Sequence, residues 1–440
     1  MSDLYENIRA IIDDPRSAAL VTESGYTPAN GPGKPIAPPT YAGDEPGKSR
    51  FAYTDAAFIP VADERGWHSR IRRDEQGSPV TAPQVVVNST PAESGRAEEA
   101  AWMSERRIFG KTPTWPGITV TKPSDDVIGA AIDAAITKTK VGSETAERIR
   151  AEALDVFEEF EVSTWTLAHR QADAWIKYAN DPGGKQIWQG GTIRELITRA
   201  GASDGDTLYS NFVNAGTFGM WLSSGVARRH RIPRAYSSEI VGFEARPIQR
   251  AATKLDVAGG AAKETALNTV DGGLVEAKGH KPSDMGFGPV PTSPHDAAFA
   301  CGAVLQQGSI SIPVFRSFQF DDDRDRRKQS AAAAVFTLLA ITGHELAAED
   351  GFLRSECNLV RESARWGWRR ASATGASGIE ELDVSDADTA AAALLAAVEA
   401  AAEVGLQFAD PITVQMSPVQ AAVVAERVAR ETAKSTGSDE

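Results

Sequence analysis

The 440-residue sequence contains few of the residues that build metal centres or disulfide frameworks. It has two cysteines, Cys301 and Cys357, and six histidines. The cysteines lie far apart, and the histidines show no recurring pair at the spacing of a zinc site. We therefore expect no disulfide, no metal and no cofactor, and two reduced, mostly buried thiols in a cytosolic protein.

Several catalytic and targeting signatures are also missing. No glycine-rich phosphate loop followed by lysine occurs, and no GxSxG nucleophile elbow. The first twenty residues are amphipathic and acidic, unlike a signal peptide, and no apolar stretch is long enough to span a membrane. We therefore expect a cytoplasmic protein without membrane contact. The absence of catalytic motifs fits a binding protein without catalytic residues but does not exclude an enzyme.

Positive charge is scarce overall, because 46 lysines and arginines stand against 60 acidic residues and give a net charge of -14. A nucleic-acid function would therefore need a local basic patch. Residues 227–234 form such a patch, with no carboxylate and with four arginines: Arg228, Arg229, Arg231 and Arg234. Arg246, Arg250 and Lys254 follow it. Arginine donors match phosphate oxygens, but a solvated loop paired with acidic residues elsewhere is an equally simple interpretation.

Local patterns predict a protein of mixed α and β structure. Strands are predicted at 82–89, which contains three valines, at 235–245, at 299–320 with a bend at Pro313, and at 352–360. Helices are predicted at 2–13, in two segments between Ser124 and Phe160 that start at Ser124 and Ser143, at 163–179, at 326–348 and at 386–405. Residues 259–296 are poor in apolar side chains, so we expect an extended insertion or a flexible hairpin there.

Two groups of residues suggest metal chemistry but have simpler explanations. Asp321, Asp322, Asp323 and Asp325 could form a metal or nuclease site. They also stand before a predicted helix, where negative charge complements the helix dipole, and we favour that interpretation. His169 has no partner at ligand spacing, so we expect a packing or capping histidine.

The stretch 216–256 carries the family resemblance. Its segments GMWLSSG, RIPRAYSSEIVGFEA and ATKLD resemble the central block of the backbone subunit of the type I-G (formerly I-U) CRISPR Cascade effector, a Cas-seven-type member of the RAMP superfamily. The sequence departs from the family pattern at Lys254 and Val257. The resemblance is also strong across 299–360, and shorter matching blocks occur at PPTYAG (38–43) and LAHR (167–170).

The segment after the valine-rich strand, NSTPAESGRAEEA, also resembles a family element. Pro91 and Gly95 depart from it, whereas five residues match: Asn88, Ser89, Ser94, Arg96 and Glu98. We consider two interpretations equally: a direct RNA contact, or a strand-to-helix turn capped by Ser or Asn.

The resemblance implies an α+β fold with an RRM-like or ferredoxin-like RAMP palm. One RNA-binding domain would cover residues 1–385, with a helical insertion at about 124–162 and the extended insertion at about 259–296. Residues 386–440 would form a C-terminal helical appendage.

The resemblance also implies a function. Copies of such a subunit polymerise along CRISPR RNA, and the guide, by base pairing, selects the DNA target. The expected partners are the CRISPR RNA, other copies of the chain, the target DNA through the guide, and further effector subunits that include a helicase-nuclease. The alternatives are an RNA-processing endoribonuclease of the same RAMP fold and a stand-alone RNA-binding protein that does not polymerise.

Overall fold

The computed structural model describes residues 3–42, 49–112, 114–222, 230–250, 267–270, 273–276, 295–321, 326–371 and 378–435. The helices are α1 (Asp3–Asp13), α2 (Thr90–Met103), α3 (Glu105–Phe109), α4 (Asp125–Thr139), α5 (Ser143–Glu158), α6 (Ala174–Lys177), α7 (Thr192–Arg199), α8 (Gly205–Asn211), α9 (Val213–Phe218), α10 (Ile312–Arg316), α11 (Arg327–Glu349), α12 (Ala387–Glu403) and α13 (Pro418–Ser435). Short 3-10 turns lie at Arg170–Ala172 and Ile187–Gln189.

The strands are β1 (Ser17–Pro28), β2 (Thr40–Ala42), β3 (Ser49–Phe51), β4 (Tyr53–Phe58), β5 (Pro60–Val61), β6 (Arg70–Ile71), β7 (Thr81–Asn88), β8 (Ile118–Thr121), β9 (Glu161–Ser163), β10 (Met220–Leu222), β11 (His230–Ile232), β12 (Tyr236–Phe243), β13 (Arg246–Arg250), β14 (Leu267–Val270), β15 (Gly273–Glu276), β16 (His295–Ala300), β17 (Ala303–Ser311), β18 (Phe352–Arg354), β19 (Cys357–Arg370), β20 (Ile379–Leu382) and β21 (Ile412–Gln415). The protein therefore belongs to the α+β class, as predicted.

An antiparallel sheet organises the fold. Its order is β18-β19-β1-β17-β12-β7-β4, and β20 also pairs with β19. Helix α2 lies between β1 and β12 in the chain, and α11 connects β17 to β19. The order β19-β1-β17-β12, with these two helical crossovers, is the arrangement of a split β-α-β fold. This order supports the more specific prediction of an RRM-like palm, which stays a prediction.

Helices cover one face of this sheet because its strands alternate apolar and polar positions. Leu20, Tyr236 and Ile310 lie opposite one another on β1, β12 and β17 and share a core with α11. Helix α11 packs in turn against α1, α2 and α12. Its residues from Ala332 to Ala347 are all buried, so it is the central helix of this layer.

The expectation that no stretch could span a membrane needs correction at α11. By length and composition this helix is apolar enough to cross one. In the folded protein, 89% of its most apolar window is buried inside the chain. Its hydrophobicity is therefore explained by its position in the core.

The C-terminal residues 386–440, which we expected to form an appendage, contribute to the packed body where the structure describes them. Asp386 caps α12 by accepting from the backbone N–H of Thr389 at 2.7 Å. Leu394 of α12 lies in the same core cluster as α11. Strand β21 pairs in parallel with β8, and α13 packs on α4 and α5. The predicted helical insertion thus joins the C-terminal segment to the rest of the protein.

Several predicted elements have the expected positions, among them α1, α4, α5, α12, β7 and β12. The predicted helix at 163–179 is wrong, because its residues form the end of β9, a 3-10 turn and the short helix α6. The predicted strand at 299–320 is divided into the end of β16, then β17 and α10. Pro313 occupies the first turn of α10, where its missing N–H costs nothing.

Two further differences concern the second half of the chain. The predicted strand at 352–360 is the hairpin β18–β19, which turns at Glu356 with φ 58°, and β19 continues to Arg370. Within the predicted extended insertion at 259–296, the described residues form the hairpin β14–β15 and the start of β16. The remainder of that insertion lies outside the described residues.

Candidate nucleic-acid interface

The hairpin β10–β11 presents an aromatic ring beside a guanidinium group. Trp221 and Arg231 are direct cross-strand partners, so their side chains share one face of the hairpin. Both are exposed, and Trp221 at 62% is among the most exposed large apolar side chains in the described part of the chain. Met220, Leu222 and Ile232 lie on the other face and are buried in the core. An exposed ring paired with arginine can stack on a base while the cation contacts a phosphate.

A tight turn before the hairpin places it against the following chain. Gly219 has φ 82°, and a Cβ atom there would lie 2.8 Å from the backbone nitrogen of Arg234. Arg170 Nη1 donates to the Gly219 carbonyl oxygen at 2.8 Å. A side chain at position 219 would therefore displace both the turn and the segment that carries Arg234.

A buried ion pair supports this turn. Arg170 Nε donates to Glu98 Oε1 at 2.7 Å, and Arg170 Nη2 donates to Glu98 Oε2. Asn214 Nδ2 adds a hydrogen bond to Glu98 Oε1 at 2.8 Å. Burial raises the pKa of Glu98, and the contacts with Arg170 and Asn214 act in the opposite direction. Removing either charge would leave the other buried and uncompensated, which makes this pair a rigid brace for the hairpin.

Arg234 connects the brace to the surface. Its side chain is exposed, and its Nε donates to the Phe218 carbonyl oxygen at 3.4 Å. Partial burial of the guanidinium, together with the nearby charge of Arg170, lowers the pKa of Arg234. An arginine remains protonated after such a shift, so Arg234 contributes positive charge at this site.

The structure separates the predicted basic residues into two groups. Arg231 and Arg234 lie just before β12, whereas Arg246 and Arg250 lie at the two ends of β13, after β12. The eight residues of β12 separate these groups by roughly 25 Å. Arg246 and Arg250 are exposed. Arg228, Arg229 and Lys254 lie outside the described residues.

The predicted residues near β7 occupy a different environment. Asn88 Nδ2 donates to Glu93 Oε1, and Asn88 Oδ1 accepts from Arg354 Nη2 at 3.1 Å. Arg96 donates to Glu93 Oε1 at 2.9 Å and to the carbonyl oxygens of Ala347 and Asp350. These side chains join β7, α2 and the end of α11, so their hydrogen-bonding groups face other parts of the protein.

Ser89 and Ser94 lie in the same strand-to-helix turn. Ser89 stands at the N-terminal cap of α2, but its side chain makes no capping hydrogen bond. Ser94 is buried, and its Oγ has no hydrogen-bond partner in the described part of the chain. The strand-to-helix turn of the second interpretation is present, but its expected side-chain cap is not formed by Ser89, and the RNA contact stays a prediction.

The same buried network extends into the sheet through residues that the sequence analysis did not identify. Gln306 Nε2 donates to Glu93 Oε2 at 2.7 Å and to Ser238 Oγ at 3.1 Å. Tyr26 donates its hydroxyl to Gln306 Oε1 at 2.8 Å, and burial raises the pKa of Tyr26 to about 12. The network thereby attaches α2 to three strands of the sheet.

The brace was also missed, although both its charges lie in segments with family resemblance. Arg170 ends the LAHR run, in which we considered only His169. His169 is exposed and precedes the 3-10 turn, whereas Arg170 adopts φ 50° and points into the core. Glu98 lies 72 positions away, and no local pattern pairs the two. The signal that could have linked them is that both segments resemble the same family.

The described residues contain no group of three or more His, Cys, Asp or Glu side chains that could hold a metal ion. Asp322, Asp323 and Asp325 lie outside them. The backbone N–H of Asp321 donates to Asp206 Oδ2 at 2.7 Å, which ties the start of the acidic segment to α8. Cys301 and Cys357 are both free, as predicted.

Comparison with known proteins identifies the family. A family model described as CRISPR-associated protein GSU0053 matches residues 20–247, just over half of the chain. The match includes the hairpin, both charges of the brace and the turn after β7. A search of curated proteins found no match. The chain therefore belongs to the GSU0053 family of CRISPR-associated proteins.

Proposed function

We propose that the protein is the RNA-binding backbone subunit of a type I-G CRISPR effector. Several copies would coat one CRISPR RNA in the cytoplasm, without cleaving it, and base pairing of the guide would select the DNA target. The remaining partners would be other effector subunits, including a helicase-nuclease. The hairpin β10–β11 supports this proposal most directly, because it presents Trp221 and Arg231 on one face and is held by a buried brace.

The overall negative charge of the chain limits where RNA can bind. A chain of net charge -14 repels RNA, so attraction has to be concentrated where arginines occur without carboxylates. Residues 227–234 meet that condition, and β11 holds Arg231 at a defined position. Contacts with phosphates carry no base information, which suits a protein that must accept any guide sequence.

RNA binding at several salt concentrations tests this proposal. We expect replacement of Arg228, Arg229, Arg231 and Arg234 by alanine to weaken binding to all guide sequences about equally. The slope of log affinity against log salt should fall by about 0.7 for each phosphate that the variant no longer neutralises. Arg427→Ala with Arg430→Ala is the matched control, because these arginines are exposed on α13 and pair with neighbouring glutamates. Unchanged affinity and slope in the quadruple variant, with a normal circular dichroism spectrum, would contradict the proposal.

Two further measurements separate the alternatives. Sedimentation with RNAs of increasing length should give complexes whose mass rises in steps of one protein copy. A single copy at every length would indicate the stand-alone RNA-binding protein. Cleavage products on a denaturing gel, with or without Mg²⁺, would indicate the endoribonuclease.

A further inference from the structure

A strap of residues 59–80 crosses the sheet face that the helices leave uncovered. It begins after β4 and ends before β7, at one edge of the sheet, and hydrogen bonds from Ile59 N to Val80 O and from Val80 N to Arg72 O close its base. Its far end reaches the opposite edge, where Arg65 Nη1 donates to the carbonyl oxygen of Ile379 in β20 at 2.8 Å. The strap therefore bridges most of the sheet.

The middle of the strap is fixed to β1 and β19. His68 Nδ1 lies 2.8 Å from Glu23 Oε1, and the His68 backbone N–H donates to the same carboxylate. Trp67 lies against β19, because a Cβ atom on Gly367 would come within 2.9 Å of its ring. The Arg365 guanidinium lies 5.2 Å from the centre of that ring. The strap is thus held by specific contacts with the sheet.

A cavity of about 240 Å³ lies between strap and sheet. Its lining includes Glu23, Trp67, His68, Gln307 and Arg369. Two of these side chains have buried donors without a hydrogen-bond partner in the described part of the chain, namely the indole N–H of Trp67 and Nε of Arg369. Trp67 itself is only 2% exposed. Buried donors without partners are costly in a folded protein, so they indicate a ligand that accepts hydrogen bonds.

The carboxylate in the cavity is already compensated. Glu23 Oε1 accepts from His68 Nδ1, and Glu23 Oε2 accepts from Gln307 Nε2 at 3.0 Å and from the His68 backbone N–H. The carboxylate also orients the imidazole, because it accepts a hydrogen bond from Nδ1. The other ring nitrogen, Nε2, takes no part in that contact. Arg369 is then the lining residue whose cationic side chain still has an unused buried donor.

We propose that this cavity binds a phosphate group, carried either by one nucleotide of an RNA strand or by a free nucleotide. Arg369 and the indole N–H of Trp67 donate to the phosphate oxygens. The volume is below that of drug-sized pockets and fits a phosphate with part of its ribose. This site is separate from the hairpin β10–β11 and does not depend on the function proposed for it.

Calorimetric titration of the full-length protein tests the proposal with three probes: inorganic phosphate, uridine 5′-monophosphate and uridine. We expect the two phosphate compounds to bind and uridine to fail. Trp67→Phe removes the unused donor and keeps an aromatic ring, and Arg369→Met removes the charge. Each should weaken uridine monophosphate binding about tenfold or more. Arg427→Met on α13 is the control and should bind normally.

Competition with RNA identifies the source of the phosphate. If saturating oligouridine displaces uridine monophosphate, the site belongs to an RNA strand; if both bind together, it belongs to a free nucleotide. Absence of phosphate binding at millimolar concentration, or equal binding by wild type, Trp67→Phe and Arg369→Met, would overturn the proposal. The quadruple arginine variant should retain phosphate binding, so failure at the hairpin and failure at the cavity are distinguishable.

Discussion

Several buried side chains of this protein are polar or titratable, so its interior is more than a hydrophobic core. His344, in the C-terminal third of α11, illustrates this. Its Nδ1 lies 2.9 Å from the hydroxyl of Tyr236, and its Nε2 is buried without a hydrogen-bond partner in the described residues. Burial lowers the pKa of His344, although the neighbouring carboxylates of Glu345 and Glu93 act in the opposite direction. The imidazole is therefore neutral in the folded protein at pH 7.

Acid should destabilise the protein through this histidine. In the unfolded chain His344 takes up a proton below about pH 6.5, whereas the folded protein excludes it, so stability is retained above that pH and declines below it. The decline approaches about 1.4 kcal/mol for each pH unit. We expect the difference in unfolding free energy between wild type and His344→Gln, measured in urea, to be constant above pH 7 and to shrink below 6.5. Parallel curves from pH 7.5 to 5.5 would contradict this assignment.

The two thiols should be almost inert in the native protein. Burial raises the pKa of the Cys301 thiol to about 12 and also raises that of Cys357. The reactive thiolate is then rare at pH 8, so we expect iodoacetamide to label both cysteines slowly in buffer and rapidly in urea. Labelling of the native protein at the rate of a free cysteine peptide would disprove this. Cys301→Ser with Cys357→Ser should leave RNA binding unchanged.

Loss of the brace should affect both stability and RNA binding. Arg170→Met leaves Glu98 buried without its cation, which costs about 3–5 kcal/mol in comparable pairs. Glu98→Gln with Arg170→Met removes both charges and should recover part of that stability. If the brace positions the hairpin, RNA affinity should stay low in the double variant. Recovery of stability and affinity together would show that the pair only stabilises the fold.

At the scale of elements, the close approach of α2 and α11 depends on a single glycine. A Cβ atom on Gly343 would lie 2.3 Å from the carbonyl oxygen of Ala97 in α2. Glycine is otherwise unfavourable inside a helix, so its presence here reflects the contact between helices. This contact brings α2, and with it Glu98, to its place beside the sheet.

Two glycine substitutions test this point as a matched pair. Gly343→Ala should destabilise the protein by about 1–3 kcal/mol, because backbone atoms of α2 have to move. Gly129→Ala in α4 has no atom within 4 Å of the new Cβ and should stabilise by up to about 1 kcal/mol. Denaturation midpoints measure both. Equal effects of the two substitutions would show that helix propensity, and not packing, decides the result.

A helix or strand could be predicted from the sequence when its own residues form a recognisable pattern, but not when it depends on contacts with distant segments. Strand β7 could be predicted because its three valines are contiguous, and α12 because an Asp cap precedes a run of alanine and leucine. Strand β1 could not, since it buries the polar residues Thr22, Glu23 and Ser24, and the partners of Thr22 and Glu23 lie on distant segments. Residues 163–179 have apolar side chains at helical spacing, which led to the wrong prediction of a helix. In the structure, turns and short elements bury these side chains instead.

The candidate site likewise contains some residues that local sequence could predict and others that depend on distant contacts. The basic character of residues 227–234 is visible as local charge density, so Arg231 and Arg234 could be proposed from sequence. The exposure of Trp221 depends on which face of β10 meets the core, and the brace depends on a contact across 72 positions. The strap and its cavity depend on tertiary structure alone, because no single segment contains both His68 and Arg369.

For the whole molecule, the C-terminal segment should be essential for folding. Truncation after Ser385 removes the buried alanine and leucine face of α12 from α11, the β21 partner of β8, and α13 from the pair α4 and α5. We expect the truncated protein to unfold without a cooperative thermal transition and to bind the dye ANS, since large apolar surfaces become exposed. A cooperative transition near that of the full-length protein would show that residues 386–440 are dispensable.

The position of β1 has a consequence for biosynthesis. This strand leaves the ribosome well before its two sheet neighbours, β17 and β19, which begin at Ala303 and Cys357. At translation rates of about 5–20 residues per second, β1 waits roughly 15–70 s for its second partner. Both edges of β1 are unpaired until β17 emerges, and one edge stays available to chaperones or to neighbouring nascent chains until β19 emerges. Production of this protein in a new host should therefore depend on chaperone supply and on translation speed.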